Sequence, residues 1–459
     1  MPTGDSLHFD VIILGAGFAG APLARRLERR LPGRGRIALV SSENYMTFTP
    51  LLPEVAGASI LPGQVVAPLR QLVRRSRLCM APVTAIDLAR RRLHYDGDGP
   101  GTLSCNELVL ACGRGAHTRL LPGMAEHAIP FKTVGDALYL RNQVISRLEQ
   151  AELETDPARR RWLTTFVILG GGFSGVEAAG AIHDFLGRAL RYYPKVRRDG
   201  CQVGLAHGGE RIMPELDAAL ADYARRKMAR RGVAFHLGER GARVDAAGLE
   251  LESGRRLPAG TVVTTVGATP HRLVADLGLP MTKGRLQTNP DMSVAGMDGL
   301  WALGDCAAVP NAHDGATSPP TAQFATRQAR QLADNIARRR AGRATRAFAF
   351  RPLGQLSSIG HHKAVARVLG LRLSGLPAWL LWRALYLVKL PTLARKIRVG
   401  LEWLWQMLFP PDVANLRFTP SAGRDPVRAP TREPERGRAQ QDSGERAGPA
   451  DRARVPSQG

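Results

Sequence analysis

The chain has no paired cysteines. Its five, Cys79, Cys105, Cys112, Cys201 and Cys306, are scattered, and none stands in a CxxC. That excludes a zinc ribbon and a thioredoxin-type site, and scattered thiols suit a reducing cytosol. Histidine offers no metal site either: His361 and His362 are adjacent, with no second ligand pair at useful spacing. Acidic residues are scarce. Forty Asp and Glu against 64 Lys and Arg leave a formal net charge of +24. Such a balance predicts attraction to anionic surfaces, meaning nucleic acid or acidic lipid headgroups. Nucleic acid is set aside, because there is no recognition-helix or RNA-binding signature and the basic residues are spread over helices and tail. A membrane-spanning run is missing as well. Leu376 to Leu390 is shorter than the ~20 apolar residues a crossing needs. It also contains Arg383 and Lys389 and is cut by Pro391. The opening MPTGDSLHFDVIIL lacks a basic stretch, an apolar core and a cleavage site in order, so no secretory signal is expected in it.

What is present is an ordinary globular balance, 44% hydrophobic and 23% charged over 459 residues. That is length for two to three domains of about 150 residues. One design occurs twice. FDVIILGAGFAGAPLARRLERR sets the apolar run Val11 to Leu14 before glycines and a helical run, with RIALVSSEN as the next strand. TTFVILGGGFSGVEAAGAIHDFL repeats it from Phe166, with CQVGLAH as the following strand. Two copies of one strand–turn–helix unit predict two nucleotide-binding units of similar build. NELVLACGRG and TVVTTVGATP each end a strand in small residues, and Gly113 and Gly267 in them are assigned to the cofactor cradles. From Thr419 onward the chain is rich in Pro, Gly, Arg and Glu, with almost no large apolar residue, which predicts a disordered tail.

The first turn is Gly15-Ala16-Gly17-Phe18-Ala19-Gly20. Gly15 permits the tight turn, Gly17 lets the backbone approach a pyrophosphate, and Gly20 allows close helix–strand packing. The helix N-terminus then offers free N–H groups to the phosphates. Glu43, just past the second strand, stands where ribose hydroxyls need an acceptor. The second turn is Gly170-Gly171-Gly172-Phe173-Ser174-Gly175, and its following strand ends in His207. An acid there would repel a 2′-phosphate, so its replacement leaves both NADH and NADPH open, with Arg211 nearby. Two dinucleotide sites in one chain imply electron transfer between a nicotinamide and a resident flavin.

These pieces resemble the type II NADH:quinone oxidoreductases, single-chain, non-pumping, FAD-containing flavoproteins with two dinucleotide-binding domains. The most specific are ENYMTFTPLLPEVAG, AEHAIPFKTVGDALYLRNQV, GGGFSGVEAAGAI, GLWALGDCA, PPTAQFATRQA and the Trp-rich end, and the likeness runs from about Asp10 to Phe418. The resemblance implies an α/β fold of two Rossmann-like domains with a C-terminal amphipathic helical membrane-docking segment. FAD would occupy 8–130 and 285–345, NAD(P)H 131–284, docking 346–418 and the tail 419–459. Gly15 to Ala19 would cradle the FAD pyrophosphate and Asp305 would meet its ribityl–phosphate portion. Thr49 and Pro50 would lie beside the isoalloxazine. Gly172, Phe173, Ser174 and Gly175 would hold the nicotinamide nucleotide, and Glu177 would help position it. Gln323 matches the first Gln of the family's quinone-site AQxAxQ.

The sequence departs from that pattern at Arg327, which replaces the second Gln and would project beside Gln323 towards the quinone. His207 replaces the acidic NADH selector. A disulfide reductase would need a cysteine pair where NYMTFTPLLPEVAG stands. A sulfide:quinone oxidoreductase would need one at the flavin, and Cys306 has no evident partner. A ferredoxin reductase usually lacks the Trp-rich end, and a non-catalytic flavin-binding sensor is the alternative of another class. Trp379, Trp382, Leu385 and Tyr386, then Leu401, Leu404, Trp405 and Leu408, recur at helical spacing. They predict helices lying in the interface plane of an anionic membrane, on the cytoplasmic face, with Trp at headgroup level. A helix pair packed on the protein's own core, or a homodimer seam, is the alternative.

Overall fold

The computed structural model describes residues 7–416, except 32, 34, 35, 98 and 197–199; the expected tail at 419–459 lies outside them. Strand β1 (Leu7–Leu14) is buried on both faces from Val11 on, as a continuous apolar run is when helices cover a parallel sheet. Helix α1 (Gly20–Arg30) lays Leu23, Ala24 and Leu27 on that sheet. β2 (Ile37–Ser41) then returns parallel to β1, with Val11 opposite Ile37. A short helix, α2 (Leu52–Ala56), precedes β3 (Arg77–Met80), β4 (Val83–Asp87), β5 (Arg92–Asp96) and β6 (Pro100–Leu110). The sheet order is β3–β2–β1–β6–β5–β4. One buried carboxylate organises its edge. Glu28 of α1 accepts the N–H groups of Arg74, Arg75 and Ser76 at 3.0, 2.8 and 2.8 Å and the Ser76 hydroxyl at 2.9 Å.

The second sheet takes β7 (Ala128–Pro130), then helix α3 (Val134–Leu153), β8 (Thr165–Leu169), helix α4 (Phe173–Ala189), β9 (Gln202–His207), β10 (Val233–Leu237) and β11 (Thr261–Thr264). Its order is β7–β11–β8–β9–β10, parallel throughout. The sequence KTVGD starts α3 with reciprocal caps. Thr133 Oγ1 accepts the Asp136 N–H at 3.1 Å, and the Asp136 carboxylate accepts the Thr133 N–H at 2.7 Å. The chain then returns to the first sheet. β12 (Leu300–Ala302) pairs parallel with the end of β6, Leu300 opposite Leu108. Helix α5 (Ala322–Arg340) packs on α1, where Arg26 and Arg30 reach Asp334 at 3.2 and 2.8 Å. Such half-exposed pairs contribute roughly 0–1 kcal/mol, so buried Leu332, Ala333 and Ile336 hold α5 more firmly.

An antiparallel sheet of β13 (Gly354–Gly360), β14 (Lys363–Val368) and β15 (Leu371–Gly375) leads into α6 (Leu376–Lys389) and α7 (Leu393–Leu408). No helix among the described residues is long and apolar enough to cross a membrane. The expectation that the indoles sit at headgroup level is corrected for three of them. Trp379, Trp382 and Trp403 are 3%, 1% and 4% exposed and belong to the protein's own core. Arg383 is the reason. Its guanidinium lies 4.0 Å from the Trp379 ring and 4.7 Å from the Trp403 ring, and cation–π contacts favour desolvated indoles around it. The outward face is on α7: Leu393, Ile397, Leu401, Leu404, Trp405 and Leu408 are all more than half exposed.

Candidate active site

The two glycine turns have the same steric logic. At Gly15, φ is +101° and a Cβ would stand 2.5 Å from the Ala111 carbonyl oxygen. A Cβ on Gly20 would strike the Gly15 oxygen at 1.7 Å. The second turn repeats this, with Gly170 at φ +123° and a Cβ on Gly175 only 1.9 Å from the Gly170 oxygen. The middle glycines differ from both. Gly17 and Gly172 have nothing within 4 Å of the Cβ position. Each turn thus leaves one bare stretch of backbone facing open space. The helices behind them, α1 and α4, have no side-chain N-cap and no acidic residue in the first turn. Their first N–H groups and positive dipole ends are free for phosphate, which is the fit a dinucleotide requires.

Loops from distant parts of the chain complete the first cradle. Cys112 Cα lies 2.7 Å from the Gly15 Cβ position, which sets Gly113 (φ +67°) at the mouth of the turn. Gly304 approaches Ala19 to 3.0 Å, measured from its own Cβ position, and brings Asp305 alongside. Gln328 fixes that approach by accepting the Gly304 N–H at 2.8 Å. Thr49 and Pro50 enter next to Phe48, whose ring is 5.5 Å from Phe18. Glu43 is exposed at the end of β2, beside Tyr45. The second cradle holds Phe173, half-buried, and Ser174, exposed, in the first turn of α4. His207 packs on Gly171, and Gly267 (φ +73°) closes the side. A ribbon joins the two cradles: Arg114–Ala116 pairs antiparallel with Ala268–Pro270, directly after Gly113 and Gly267.

Glu177 reaches from α4 to β13, where its carboxylate accepts the Ser358 N–H at 3.2 Å. It lines a cavity of about 30 Å³ with Glu54 of α2, Arg188, Trp382 and Arg383, room for about two waters. Glu54 Oε2, Arg383 Nε and the indole N–H of Trp382 are buried there with no hydrogen-bond partner among the described residues. Burial pushes the Glu177 carboxyl up to about 8, and the charge of Glu54 adds to it. Burial also raises Glu54, against the pull of the Arg383 and Arg188 charges. Glu177 is therefore mainly protonated at neutral pH. His361 is held down to about 4 by burial first and then by cationic neighbours, so it stays neutral. Its partner His362 meets the Trp379 ring edge-on, the centroids 4.7 Å apart, and the described residues contain no metal-ligand cluster.

At the far side, Gln323 is tied to the start of β13: its oxygen accepts the Leu353 N–H at 3.1 Å. Arg327, one turn on, lies over the Phe350 ring at 5.3 Å. The sequence reading missed three things. Glu54 is the only charge in LLPEVAG, and that isolation was the available signal. Gln328, the residue after Arg327, orients the Gly304–Asp305 turn. Cys306 does have a neighbouring thiol, that of Cys112 beneath the first turn, both free, while its own sulfur lies within hydrogen-bonding reach of the Leu303 and Leu110 carbonyls at 3.3 and 3.4 Å. No local spacing could have revealed that pair.

The profile of the pyridine nucleotide-disulphide oxidoreductase family matches residues 9–329, and that of the NDH2 C-terminal domain matches 353–412. A type II NADH:quinone oxidoreductase of Mycobacterium tuberculosis is 30% identical over 410 residues, covering 86% of this chain and 87% of its own. A demethylphylloquinone reductase of Synechocystis is also 30% identical, covering 87% of this chain and 96% of its own. The solved structure of NDH2 from Plasmodium falciparum in complex with NADH has the same fold, with a TM-score of 0.83 at 17% identity over 88% of this chain and 99% of that one.

Proposed function

The chain belongs to the type II NADH:quinone oxidoreductases of the pyridine nucleotide-disulphide oxidoreductase family, and from that premise we propose how its own residues do the work. It is a non-pumping oxidoreductase that carries electrons from a reduced nicotinamide nucleotide through FAD to a quinone, and it is a peripheral membrane protein. The observation that carries the reading is the pair of uncapped glycine cradles, each open at its middle glycine and joined to the other through the Gly113–Gly267 ribbon.

FAD, when bound, supplies the carrier that takes a hydride and releases electrons to the acceptor. The first cradle, Gly15 to Gly20, would hold its pyrophosphate on the N–H groups of α1, with Asp305 and Gly113 flanking. Thr49 and Pro50 border the ring region. The second cradle, Gly170 to Gly175, holds the reduced nucleotide on α4. Orientation of the two is the protein's main contribution, since positioning alone supplies much of the barrier reduction in such transfers. Quinol formation takes two protons with two electrons; the nucleotide's hydride brings one, and the other comes from water. Glu177, protonated at neutral pH, holds a proton at its carboxyl next to a cavity that can re-supply it. Gln323 and Arg327 border the acceptor side.

The exposed apolar face of α7 sets the molecule on the bilayer, with Arg395, Lys396 and Arg398 reaching anionic headgroups on the cytoplasmic face. An anaerobic addition of NADH should bleach the flavin absorbance of purified protein, and a soluble quinone should restore it. Failure of both NADH and NADPH to bleach it would remove the enzymatic reading.

A further inference from the structure

We infer that the second cradle accepts a dinucleotide bearing a 2′-phosphate, so that the chain uses NADPH as well as NADH. The inference rests on the reading that this cradle holds the reduced nucleotide. In a Rossmann unit, the carboxylate at the end of the second strand accepts ribose hydroxyls and repels a 2′-phosphate. Here β9 ends in His207. Its ring lies across the turn: a Cβ on Gly171 would be 2.6 Å from its Cγ, and one on Gly209 would be 3.0 Å from its Nε2. Burial lowers its basicity, so it presents a neutral ring with hydrogen-bonding nitrogens.

The structure adds a cation that the sequence did not place there. Arg240 follows the neighbouring strand β10, and its Cγ lies 2.5 Å from the Cβ position of Gly208, the residue after His207. Its stem therefore crosses the loop beside the imidazole, with its side chain exposed. Arg211 stands on the same loop. One of its nitrogens donates to the Pro214 carbonyl at 3.1 Å, and its Nε is buried without a partner. Neither arginine is in an ion pair with a carboxylate: the salt bridges among the described residues use other arginines.

The nearby acids among the described residues form no ion pair with either arginine. Glu239 pairs with Arg255 at 2.5 Å. Glu210 leans over Gly238, its Oε1 3.0 Å from that Cβ position. Glu215 is exposed and acts on His207 only through its charge. Two guanidinium groups without carboxylate partners flank a strand end that lacks the selecting acid. Guanidinium binds phosphate in a forked, charge-assisted geometry, so the arrangement suits a phosphate better than a bare hydroxyl.

The test is calorimetric and independent of turnover. FAD-loaded protein is titrated with ADP-ribose and with 2′-phospho-ADP-ribose, alongside Arg240→Ala and His207→Glu. The phosphorylated ligand should bind at least as tightly as ADP-ribose and weaken as salt is raised. Both substitutions should weaken it about tenfold or more, while ADP-ribose changes less than about twofold in Arg240→Ala. A wild-type preference for ADP-ribose of tenfold or more would overturn the inference, as would His207→Glu binding both ligands like the wild type. Should the inference fail while NADH still bleaches the flavin, the oxidoreductase reading stands. Binding of neither ligand, with no bleaching, would remove both.

Discussion

Glu177→Gln replaces a carboxyl that ionises near 8 with an amide that never ionises. Moving a carboxyl from an ordinary 4.5 to about 8 disfavours its ionised form in place by roughly 5 kcal/mol. The sign of the linkage follows. A folded-state value raised above the unfolded one gives stability that is complete below about 4.5 and lost as pH rises towards about 8. At pH 7 the wild type forgoes about 3 kcal/mol on this account. Gln keeps the shape and removes the term, so the variant should be the more stable protein at neutral pH. Flavin release on heating, followed by fluorescence, should give nearly equal midpoints at pH 5. The variant should then gain steadily up to pH 8 and hold a constant lead above it. The rapid-mixing arm reads function: flavin reduction by NADH should be unchanged, while reoxidation by quinone slows, because the amide has no proton to give. Parallel midpoints across pH would refute the buried protonated carboxyl. Slowed reduction with normal reoxidation would return Glu177 to positioning the nicotinamide.

Gly172→Ala should fold and load FAD normally, since its Cβ meets nothing, yet raise the NADH KM at least tenfold; Gly175→Ala, 1.9 Å from the Gly170 oxygen, should lose folded protein instead. Arg327→Gln should change the quinone KM and leave flavin reduction by NADH alone, as stopped-flow traces of the two half-reactions will show. Glu28→Ala strands three backbone N–H groups and should lower stability by about 2–3 kcal/mol in denaturant titration. Replacing Leu401, Leu404, Trp405 and Leu408 by Ser should release the protein from anionic vesicles in a sedimentation assay, with dye reduction retained.

Much of this site was readable because steric rules are local. Gly15 and Gly20 are required by atoms within a few residues or on the adjacent strand, and the same holds for Gly170 and Gly175, so the spacing alone identified both turns. The Thr133–Asp136 cap is equally local. What escaped depends on chain return. Glu54 and Glu177 meet because Gly57 lets α2 approach Ala181 of α4 to 3.0 Å from its Cβ position, a packing that no period in the sequence encodes. Cys112 meets Cys306 only because the ends of β6 and β12 are neighbours in one sheet. Arg240 came beside His207 through the pairing of β9 with β10.

The Trp-rich end shows why apolar periodicity names a buried face without naming what buries it. Lipid and protein core are both dry, and an indole gains from either. The polar neighbours separate the two cases. On α6, Trp379 and Trp382 close over Arg383 and the Glu54–Glu177 cavity, so that helix is part of the cavity wall. α7 is anchored on its inner side by Gln406, which donates to the Ala58 carbonyl at 2.9 Å, and by Arg188, which donates to the Phe409 carbonyl at 2.7 Å. Its other side carries leucines with no polar obligation. Deleting Gly375 to Phe409 would therefore do two things at once, freeing the protein from the membrane and opening the cavity around Glu177. Only substitutions confined to the outer face of α7 separate anchoring from catalysis. The two are coupled in the structure, because the helix with the exposed apolar face is held by Arg188, which also walls the cavity of Glu177.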